Sequence, residues 1–190
     1  MRAFDIDTEA FHRFLRSMTM DLTVESYDTW DDLLVYMDGS AAVIGEMMLP
    51  ILEPTDYDTA LPHARDLGNA FQLTNFLRDI DEDLDRGRQY IPREDSERFG
   101  VDLTQRSVTP EFVGLMRFEI DRCRELYRSA QIGIDMLPDR SAKCVGAAHA
   151  LYGRILDKIE AQDYDVFTSR ASVSTAEKAT MVAKLLSPFS

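Results

Sequence analysis

The sequence is poor in basic residues, and this shortage limits the partners that the protein can have. Its 190 residues include 21 lysines and arginines against 34 aspartates and glutamates, which gives a formal net charge of −13. Proteins that bind nucleic acid need a basic surface for the phosphates, so the composition excludes a nucleic-acid partner. It leaves anionic small-molecule substrates open, because bound metal ions can reverse the local field.

Cysteines and long apolar stretches are also scarce. Cys123 and Cys144 show neither close pairing nor metal-ligand spacing, and both are expected to be buried free thiols. Met1–Asp7 has too few apolar residues for a signal peptide. The longest apolar run, Ser40–Leu52, is interrupted by Glu46 and is too short for a bilayer. We therefore expect a soluble, cytoplasmic protein that could still touch a membrane surface to collect an apolar substrate.

The sequence lacks the alternating pattern of β-strands and contains no internal repeat. Apolar residues recur instead at spacings of three and four, which is typical of amphipathic helices. We predict an all-α fold in a single domain over residues 1–190. The predicted helices are Thr8–Val24, Asp28–Leu52, a central helix that follows Asp58 and ends at Gly87, Glu111–Leu137, Pro138–Asp163 and Thr175–Leu186, while Arg93–Pro110 is predicted to be a loop or a broken helix.

The central helix carries an unusual polar stripe of amides and short carboxylates. On a helical projection Gln72, Asn75, Asp79 and Asp83 fall on one face, and the last three are spaced four residues apart. Such neighbours lie about 5–6 Å apart at Cβ. Hard oxygen ligands on successive turns suit Mg²⁺, which keeps waters that a phosphate can replace. Arg78 lies beside the stripe, where it can bind a phosphate through two hydrogen bonds.

Two qualifications follow from the same projection. Asp81 and Asp85 point away from the stripe and are not predicted to bind metal. An ordinary solvated helix face remains the alternative interpretation, although such faces are usually rich in lysine and glutamate.

The segment QLTNFLRDIDEDLDRGRQYIP, residues 72–92, resembles the second aspartate-rich motif of the squalene/phytoene synthase family. That pattern reads Gln-x-x-Asn-x-x-Arg-Asp-x-x-x-Asp, followed by Arg-Gly-Arg-x-Tyr-x-Pro. Further on, DYDVFTSRASV resembles the family's Gly-Tyr-Asp-Val-Phe-x-x-Arg-x-x-Val, with Asp163 where glycine is common. The resemblance implies an isoprenoid-synthase-type helical bundle, prenyl diphosphate substrates, and Mg²⁺ as cofactor with Mn²⁺ as a substitute.

The same resemblance implies a phytoene synthase-like prenyltransferase of carotenoid biosynthesis. Such an enzyme condenses two geranylgeranyl diphosphates head to head, through a cyclopropyl diphosphate intermediate, and NADPH is not expected to take part. Two alternatives remain open. One is a squalene or dehydrosqualene synthase that uses farnesyl diphosphate, and the other is a non-catalytic scaffold or assembly protein of the same family.

The resemblance also assigns roles to residues that the pattern alone leaves open. Without it, Asp21 and Arg170 are compatible with surface positions, Tyr152 with the core, and the small residues Ala41–Gly45 after Tyr36 with a helix bend or close helix packing. With it, the roles implied are as follows: metal binding by Asn75, Asp79 and Asp83; catalysis by Asp79, Asp83, Arg78 and Tyr152; and substrate binding by Gln72, Arg78, Tyr152, Arg170, Tyr36 and Asp21.

Members of the family carry a first aspartate-rich motif before the segment that matches Thr8–Tyr27, and no such motif is present here. The match therefore corresponds to about the C-terminal two thirds of a whole member, and the bundle is predicted to be incomplete at its N-terminus. An apolar face would then be left uncovered. We expect this chain to self-associate or to pair with an N-terminal partner polypeptide.

Overall fold

The computed structural model describes residues 6–186 and confirms the all-α fold. Within this range the chain is helical apart from its connections and one isolated β-bridge between Ser26 and Gln89. The α-helices are α1 (Thr8–Met20), α2 (Trp30–Met37), α3 (Val43–Leu52), α4 (Tyr57–Arg78), α5 (Ile80–Asp85), α6 (Arg93–Phe99), α7 (Pro110–Ile134), α8 (Asp139–Ala161) and α9 (Thr175–Leu186), with a π-helical turn (Asp38–Ala42) between α2 and α3 and a 3₁₀ helix (Leu103–Gln105) after α6.

Helices α4 and α7 pack side by side and antiparallel at the centre of the bundle. Thr74 Oγ1 lies 2.8 Å from Tyr127 Oη, and further back along α4 Asp66 meets Ser129 of α7. The apolar side of α4 that the sequence predicted, including Leu73, is buried as expected. Each such side chain contributes about 1.5–3 kcal/mol through removal from water, which makes this pair the main apolar contact of the fold.

Small residues let α3 and α4 pack backbone against backbone. A Cβ on Gly45 would collide with the carbonyl of Ala64, and a Cβ on Gly68 would collide with the carbonyl of Ala41. Gly39 meets the backbone of α1 in the same way. The small-residue segment therefore serves close helix packing, which is one of the roles that the sequence left open.

The segment Trp30–Leu52 forms a 23-residue helical stretch with a mean hydropathy of 1.3. By length and composition alone this stretch could cross a membrane, which differs from the shorter run counted in the sequence. Core helices of soluble proteins pass the same test. Here Leu33, Met37 and Val43 are buried in the bundle, and Glu46 is paired with two arginines.

Local details refine or correct the sequence-based expectations. The central helix is interrupted at Asp79, whose φ of −106° and ψ of 19° place it outside the helical region. Arg93–Phe99 is helical, which agrees with the broken-helix alternative for Arg93–Pro110. Cys123 is buried as expected, but Cys144 is exposed because it lies towards the rim of the bundle on the first turns of α8.

A buried ionic cluster joins α6 to α7. Arg122 Nη1 donates to Asp95 at 2.8 Å and to both oxygens of Glu119 at 2.9 Å, and its guanidinium lies 4.3 Å from the ring centre of Trp30. Glu119 is fully buried. Burial raises its pKa to about 8, with the nearby Asp95 acting in the same direction and Arg122 against it. Glu119 therefore holds a proton at neutral pH, and the cluster is close to neutral overall.

Stability should fall as pH rises because of Glu119. Between pH 4.5 and about 8 the unfolded chain releases the Glu119 proton while the folded chain keeps it. The folded state binds more protons in this window, so the free energy of unfolding decreases as pH rises through it. We expect Glu119→Gln to flatten this decrease in urea unfolding at pH 5, 6, 7 and 8, because glutamine keeps an acceptor for Arg122 without titrating.

Glu125→Gln is the matched control, because Glu125 is an exposed glutamate on the same helix. It should keep the parental pH dependence. If the free energy of unfolding of Glu119→Gln depends on pH as it does in the parent, the Glu119 carboxyl is ionised in the folded protein.

Candidate active site

Asp79 lies at the junction of α4 and α5 and pairs with two arginines. Arg78 directly precedes it in the sequence, and Arg170 follows it by 91 residues. Arg78 donates through Nε at 2.7 Å and Nη2 at 2.5 Å. Arg170 donates through Nε at 2.8 Å and Nη2 at 3.1 Å. Adjacent residues do not face each other on a regular helix, so the interruption at Asp79 is what allows Arg78 to pair with its neighbour. Dihedrals of this kind are sparsely allowed and recur at active sites.

The two guanidiniums determine the charge state of Asp79. Burial would raise the pKa of its carboxyl, but hydrogen bonds from Arg78 and Arg170 outweigh burial and lower the pKa below its ordinary value. Asp79 is therefore ionised at neutral pH, and its negative charge is shared between two donors.

Asp83 lies one turn further along and is in a different electrostatic environment. Burial raises its pKa to about 6, and the negative charge of Asp79 adds to the effect. Its one ion pair, with Arg86, is long at 3.4 Å and involves a side chain that is 63% exposed. Such a contact contributes little. Asp83 thus has oxygen lone pairs that the described protein groups leave largely unused.

The predicted spacing survives the interruption in the helix. The Asp79 N–H donates to the carbonyl of Asn75 at 2.9 Å, and the Asp83 N–H donates to the carbonyl of Asp79 at 2.9 Å. Asn75, Asp79 and Asp83 therefore follow one another on successive turns. Within residues 6–186 the side-chain amides of Asn75 and Gln72 have no hydrogen-bond partner, so they are available to a ligand.

Metal binding is not apparent from acids and histidines alone. Among the described residues, no three histidine, cysteine, aspartate or glutamate side chains cluster closely enough to hold an ion. The donor set that the sequence predicts consists of one amide and two carboxylates, and Asp79 is already paired. Hard oxygen donors of this type fit Mg²⁺, which usually takes few protein ligands and completes its shell with water.

The acids on the opposite side of α5 have a structural role. Asp81 and Asp85 both accept hydrogen bonds from Arg106, at 2.8 Å and 2.5 Å. Arg106 thus pairs with both acids, although Asp81 also lines a small cavity with Arg78, Asp79 and Arg170.

Arg170 reaches Asp79 because the segment after α8 folds back across the end of α4. The chain reverses at Asp163 and Tyr164, whose φ angles are 55° and 62°. Asp163 thus occupies a left-handed conformation that favours glycine, and aspartate is one of the few other residues that tolerate it. Asp165 then caps the turn by accepting hydrogen bonds from the N–H groups of Phe167 and Thr168. The departure from the glycine pattern at Asp163 therefore keeps the same backbone turn.

Asp21 and Tyr36 belong to an aromatic and polar cluster beside α4. Arg88 Nη1 donates to Asp21 Oδ1 at 3.1 Å and to Tyr90 Oη at 3.0 Å. The Tyr90 ring stacks on Phe76 with centroids 4.0 Å apart and lies 5.7 Å from the ring of Tyr36. Burial raises the pKa of Tyr36. Arg88 and Tyr90 both lie inside the RGRQYIP part of the motif quoted from the sequence.

An apolar cavity of about 260 Å³ lies beside the first two thirds of α4, from Ala60 to Phe71. Its walls come from α3, α4, α7 and α8. Gly68 and Phe71 line it from the same face of α4 that carries Asn75, and the ring of Tyr152 lies 4.4 Å from that of Phe71. The residues on α7 and α8 that line this cavity were missed in the sequence, where only the small residues Ala148 and Gly133 could have indicated it.

Comparison with known protein families identifies the family to which this sequence belongs. The squalene/phytoene synthase family model matches residues 1–177. The chain belongs to this family. Membership agrees with the polar stripe on α4 and α5 and with the Arg170 segment, which carry the motifs quoted from the sequence.

Among curated members of the squalene/phytoene synthase family, the chain is similar to phytoene synthases. It is 38% identical to phytoene synthase 3 of Zea mays, over 95% of this chain and 44% of the relative. It is 37% identical to the phytoene synthase of Arthrospira platensis, over 92% of this chain and 62% of the relative. The chain thus spans about half the length of the curated relatives it matches.

Among solved structures, the chain is similar to a dehydrosqualene synthase in complex with a ligand. The two superpose with a TM-score of 0.89 at 27% identity, over 97% of this chain and 66% of the other. This likeness supports the isoprenoid-synthase type of helical bundle for the residues described.

Arg170 should hold its segment against α4 without carrying much of the global stability. Its side chain is 49% exposed, and exposed ion pairs contribute about 0–1 kcal/mol. We expect Arg170→Gln to leave the melting temperature almost unchanged and to speed hydrogen exchange at the amides of Phe167 and Thr168. Arg106→Gln, which removes the partner of Asp81 and Asp85, should not change exchange at these amides. Equal exchange in the parent and Arg170→Gln would mean that the Asp79 contact does not anchor the segment.

Proposed function

We propose that this chain carries the diphosphate-binding half of a phytoene synthase-type prenyltransferase. The observation that supports this best is the position of Asp79. It lies between two arginines, next to the free amide of Asn75 and the weakly paired carboxylate of Asp83, and it lines a small cavity with Arg78 and Arg170. A separate apolar cavity begins at Phe71, two turns before Asp79 along α4. A prenyl diphosphate has the matching form, with an anionic head and a long apolar chain.

The residues present fit a divalent cation, for which Mg²⁺ is our proposal and Mn²⁺ the substitute. Asn75, Asp79 and Asp83 would hold it. When bound, Mg²⁺ neutralises charge on the leaving diphosphate, which makes cleavage of its bond to carbon feasible at neutral pH. Arg78 and Arg170 supply the remaining positive charge. Their guanidiniums can exchange the Asp79 carboxylate for phosphate oxygens, because both present the same paired acceptors.

Other residues orient the substrate and protect the reaction. Gln72 has a free amide one turn before Asn75, within the same stripe, and Arg88 presents Asp21 and Tyr90 on the neighbouring side. Tyr152 packs on Phe71, which lines the apolar cavity. The apolar lining keeps water away from the allylic cation, which water would otherwise capture.

In the proposed reaction two geranylgeranyl diphosphates join head to head. The first loses diphosphate, and the double bond of the second attacks the resulting allylic cation. Loss of a proton closes a cyclopropane that still carries one diphosphate. Loss of that diphosphate and rearrangement give a second cation, and release of another proton yields phytoene. No electrons are exchanged with a redox cofactor, so NADPH has no role in this scheme.

A second candidate is a synthase that joins two farnesyl diphosphates. The likeness to a dehydrosqualene synthase favours it. The shorter product of such an enzyme, or a product that forms only with NADPH, would assign the chain to the squalene branch instead.

The cellular setting follows from the substrate. We propose that the protein works in the cytoplasm at a membrane surface, where long prenyl chains and their products partition. Several large apolar side chains of α1 to α3 are exposed, among them Leu15, Leu22, Val35 and Met48. They suit contact with lipid, with a second copy of the chain, or with an N-terminal partner polypeptide.

Binding of an unreactive geranylgeranyl thiodiphosphate tests this function directly. We expect calorimetry to show binding that requires Mg²⁺. Asp79→Asn should weaken it by about tenfold or more, since one of the two charged ligands proposed for Mg²⁺ is lost. In a full-length synthase that carries this domain, Asp79→Ala should abolish turnover.

Asp85→Asn is the matched control, because Asp85 lies on the same short helix, pairs with Arg106 and does not line the cavity at Arg78, Asp79 and Arg170. It should bind like the parent. Failure of the parent chain to bind with Mg²⁺, even with an N-terminal portion supplied from a full-length relative, would favour a non-catalytic scaffold over an enzyme.

A further inference from the structure

Four charged side chains form a closed ionic cluster that the proposed site does not use. Arg13 of α1 and Arg65 of α4 each pair with two acids, namely Asp38 at the start of the π-helical turn and Glu46 of α3. These four residues are called the Arg13 cluster below. Their side chains are between 18% and 36% exposed, so each charge has lost much of its water and depends on its partners.

The pairing uses several donors of each guanidinium. Arg13 donates to the two oxygens of Asp38 through Nε at 2.8 Å and Nη2 at 2.7 Å, and its Nη1 donates to Glu46 at 2.9 Å. Arg65 donates to Asp38 at 2.5 Å and to Glu46 at 2.8 Å. Planar guanidiniums fix the direction of the acceptors that they bind. The cluster therefore holds Asp38 and Glu46 in one relative position.

That position depends on the π-helical turn between the two acids. In a regular α-helix, residues eight positions apart lie about 80° apart around the axis, because each residue turns the chain by about 100°. The turn Asp38–Ala42 is wider by one residue, since the Val43 N–H donates to the Asp38 carbonyl five residues earlier. The spacing from Asp38 to Glu46 then equals about seven α-helical steps, which brings the two acids within about 20° of each other. The Arg13 cluster and the π-helical turn thus stabilise each other.

Helix α1 also supports this turn through its backbone. Ser17, which is buried one turn after Arg13, donates from Oγ to the Tyr36 carbonyl at 2.9 Å. Gly39 lies inside the π-helical turn and has no room for a Cβ against the Arg13 carbonyl and the Ser17 hydroxyl. Helix α1 therefore packs directly on the turn, and this contact brings the Arg13 guanidinium to Asp38.

The π-helical turn determines where Tyr36 points. Tyr36 is buried two residues before the turn, and its ring lies 6.4 Å from that of Phe76 on α4. Burial raises the pKa of Tyr36, and Tyr90 and Asp21, which face its hydroxyl, raise this pKa further. Without the extra residue, α2 would rotate by about 100° relative to α3. Tyr36 would then leave these partners.

We propose that Arg13 and Arg65 are positioning residues for Tyr36. By keeping the following turn π-helical, they hold the Tyr36 hydroxyl in the cluster with Asp21 and Tyr90. Turns of this kind inside α-helices often occur at functional sites, which agrees with such a role. The inference rests on the proposed function in one respect, namely that Tyr36 contacts the substrate. The position of Tyr36 itself does not depend on which ligand the site takes.

The first experiment observes Tyr36 without any ligand. The protein is labelled with 3-fluorotyrosine, and its fluorine NMR spectrum should contain seven tyrosine signals, of which Tyr36→Phe lacks one. We expect Arg13→Gln and Arg65→Gln to shift or broaden this signal, because the acids that lose a partner no longer hold the π-helical turn. Arg16→Gln is the matched control and should keep the parental signal, since Arg16 lies on the same helix as Arg13, is 72% exposed and pairs with Glu9 at 3.7 Å.

The second experiment is a double-mutant cycle on the binding of an unreactive geranylgeranyl thiodiphosphate with Mg²⁺, measured by calorimetry. Arg13→Gln should weaken binding about fivefold in the parent, a usual effect of one misplaced hydrogen bond. It should have much less effect in a Tyr36→Phe background, where there is no hydroxyl to position. A general loosening of the fold would weaken binding equally in both backgrounds.

Arg13→Lys keeps the charge but not the planar group that binds both acids. It should change the Tyr36 signal and the affinity in the same direction as Arg13→Gln and by less. It replaces Arg13→Gln in both experiments if that variant does not fold.

The outcomes separate this inference from the proposed function. If the folded variants keep the parental Tyr36 signal, the Arg13 cluster does not position Tyr36 and the inference is wrong, while the proposed function stands. If Arg13→Gln weakens binding equally with and without the Tyr36 hydroxyl, the cluster does not act on the substrate through Tyr36. If the parent does not bind the analogue, the proposed function is wrong, and the fluorine signal still decides whether the cluster positions Tyr36.

Discussion

The carboxylate of Asp79 and its two guanidiniums join parts of the protein that are far apart in sequence. Arg78 belongs to the end of α4, whereas Arg170 comes from the segment after α8, 91 residues further along. Without a ligand, the arginines neutralise an acid that would otherwise be partly buried and unpaired. With an anion present, the two guanidiniums can donate to the anion instead of to Asp79. The two arginines that stabilise the Asp79 carboxylate are thus the same residues that a diphosphate would contact.

The surrounding fold explains why this arrangement can be held in place. The antiparallel contact of α4 with α7 buries the apolar side of α4 and leaves another face for the polar donors, while α7 also forms one wall of the apolar cavity. The turn at Asp163 and Tyr164 directs the later segment back across the helix end. The ionic cluster of Glu119, Asp95 and Arg122 fixes α6 on the outer side of α7. These contacts are separate from the polar stripe, so changes in the site need not disturb them.

Much of this could be predicted from the sequence, because it depends on local periodicity. The spacing of Asn75, Asp79 and Asp83 determines that their side chains share a helix face. The same geometry predicts that the side chains of Asp81 and Asp85 lie off that face. The fold class is equally local in origin. What could not be predicted depends on partners distant in the chain. The interruption at Asp79, the Arg88–Asp21 pair and the Asp66–Ser129 contact all arise from tertiary packing, and no spacing in the sequence encodes them.

The glycine contacts of α3 have a mechanical consequence for the apolar cavity. Gly45 and Gly68 bring the backbones of α3 and α4 to a separation that no side chain could tolerate. Sliding either helix would drive neighbouring Cβ atoms into facing carbonyls. The wall of the cavity that α3 and α4 form is therefore rigid. The first turns of α8, which also line the cavity, hold fewer buried side chains than its last turns, so the cavity should open more readily there. We therefore expect the cavity to open on one side, at its α8 wall, rather than by a symmetrical expansion.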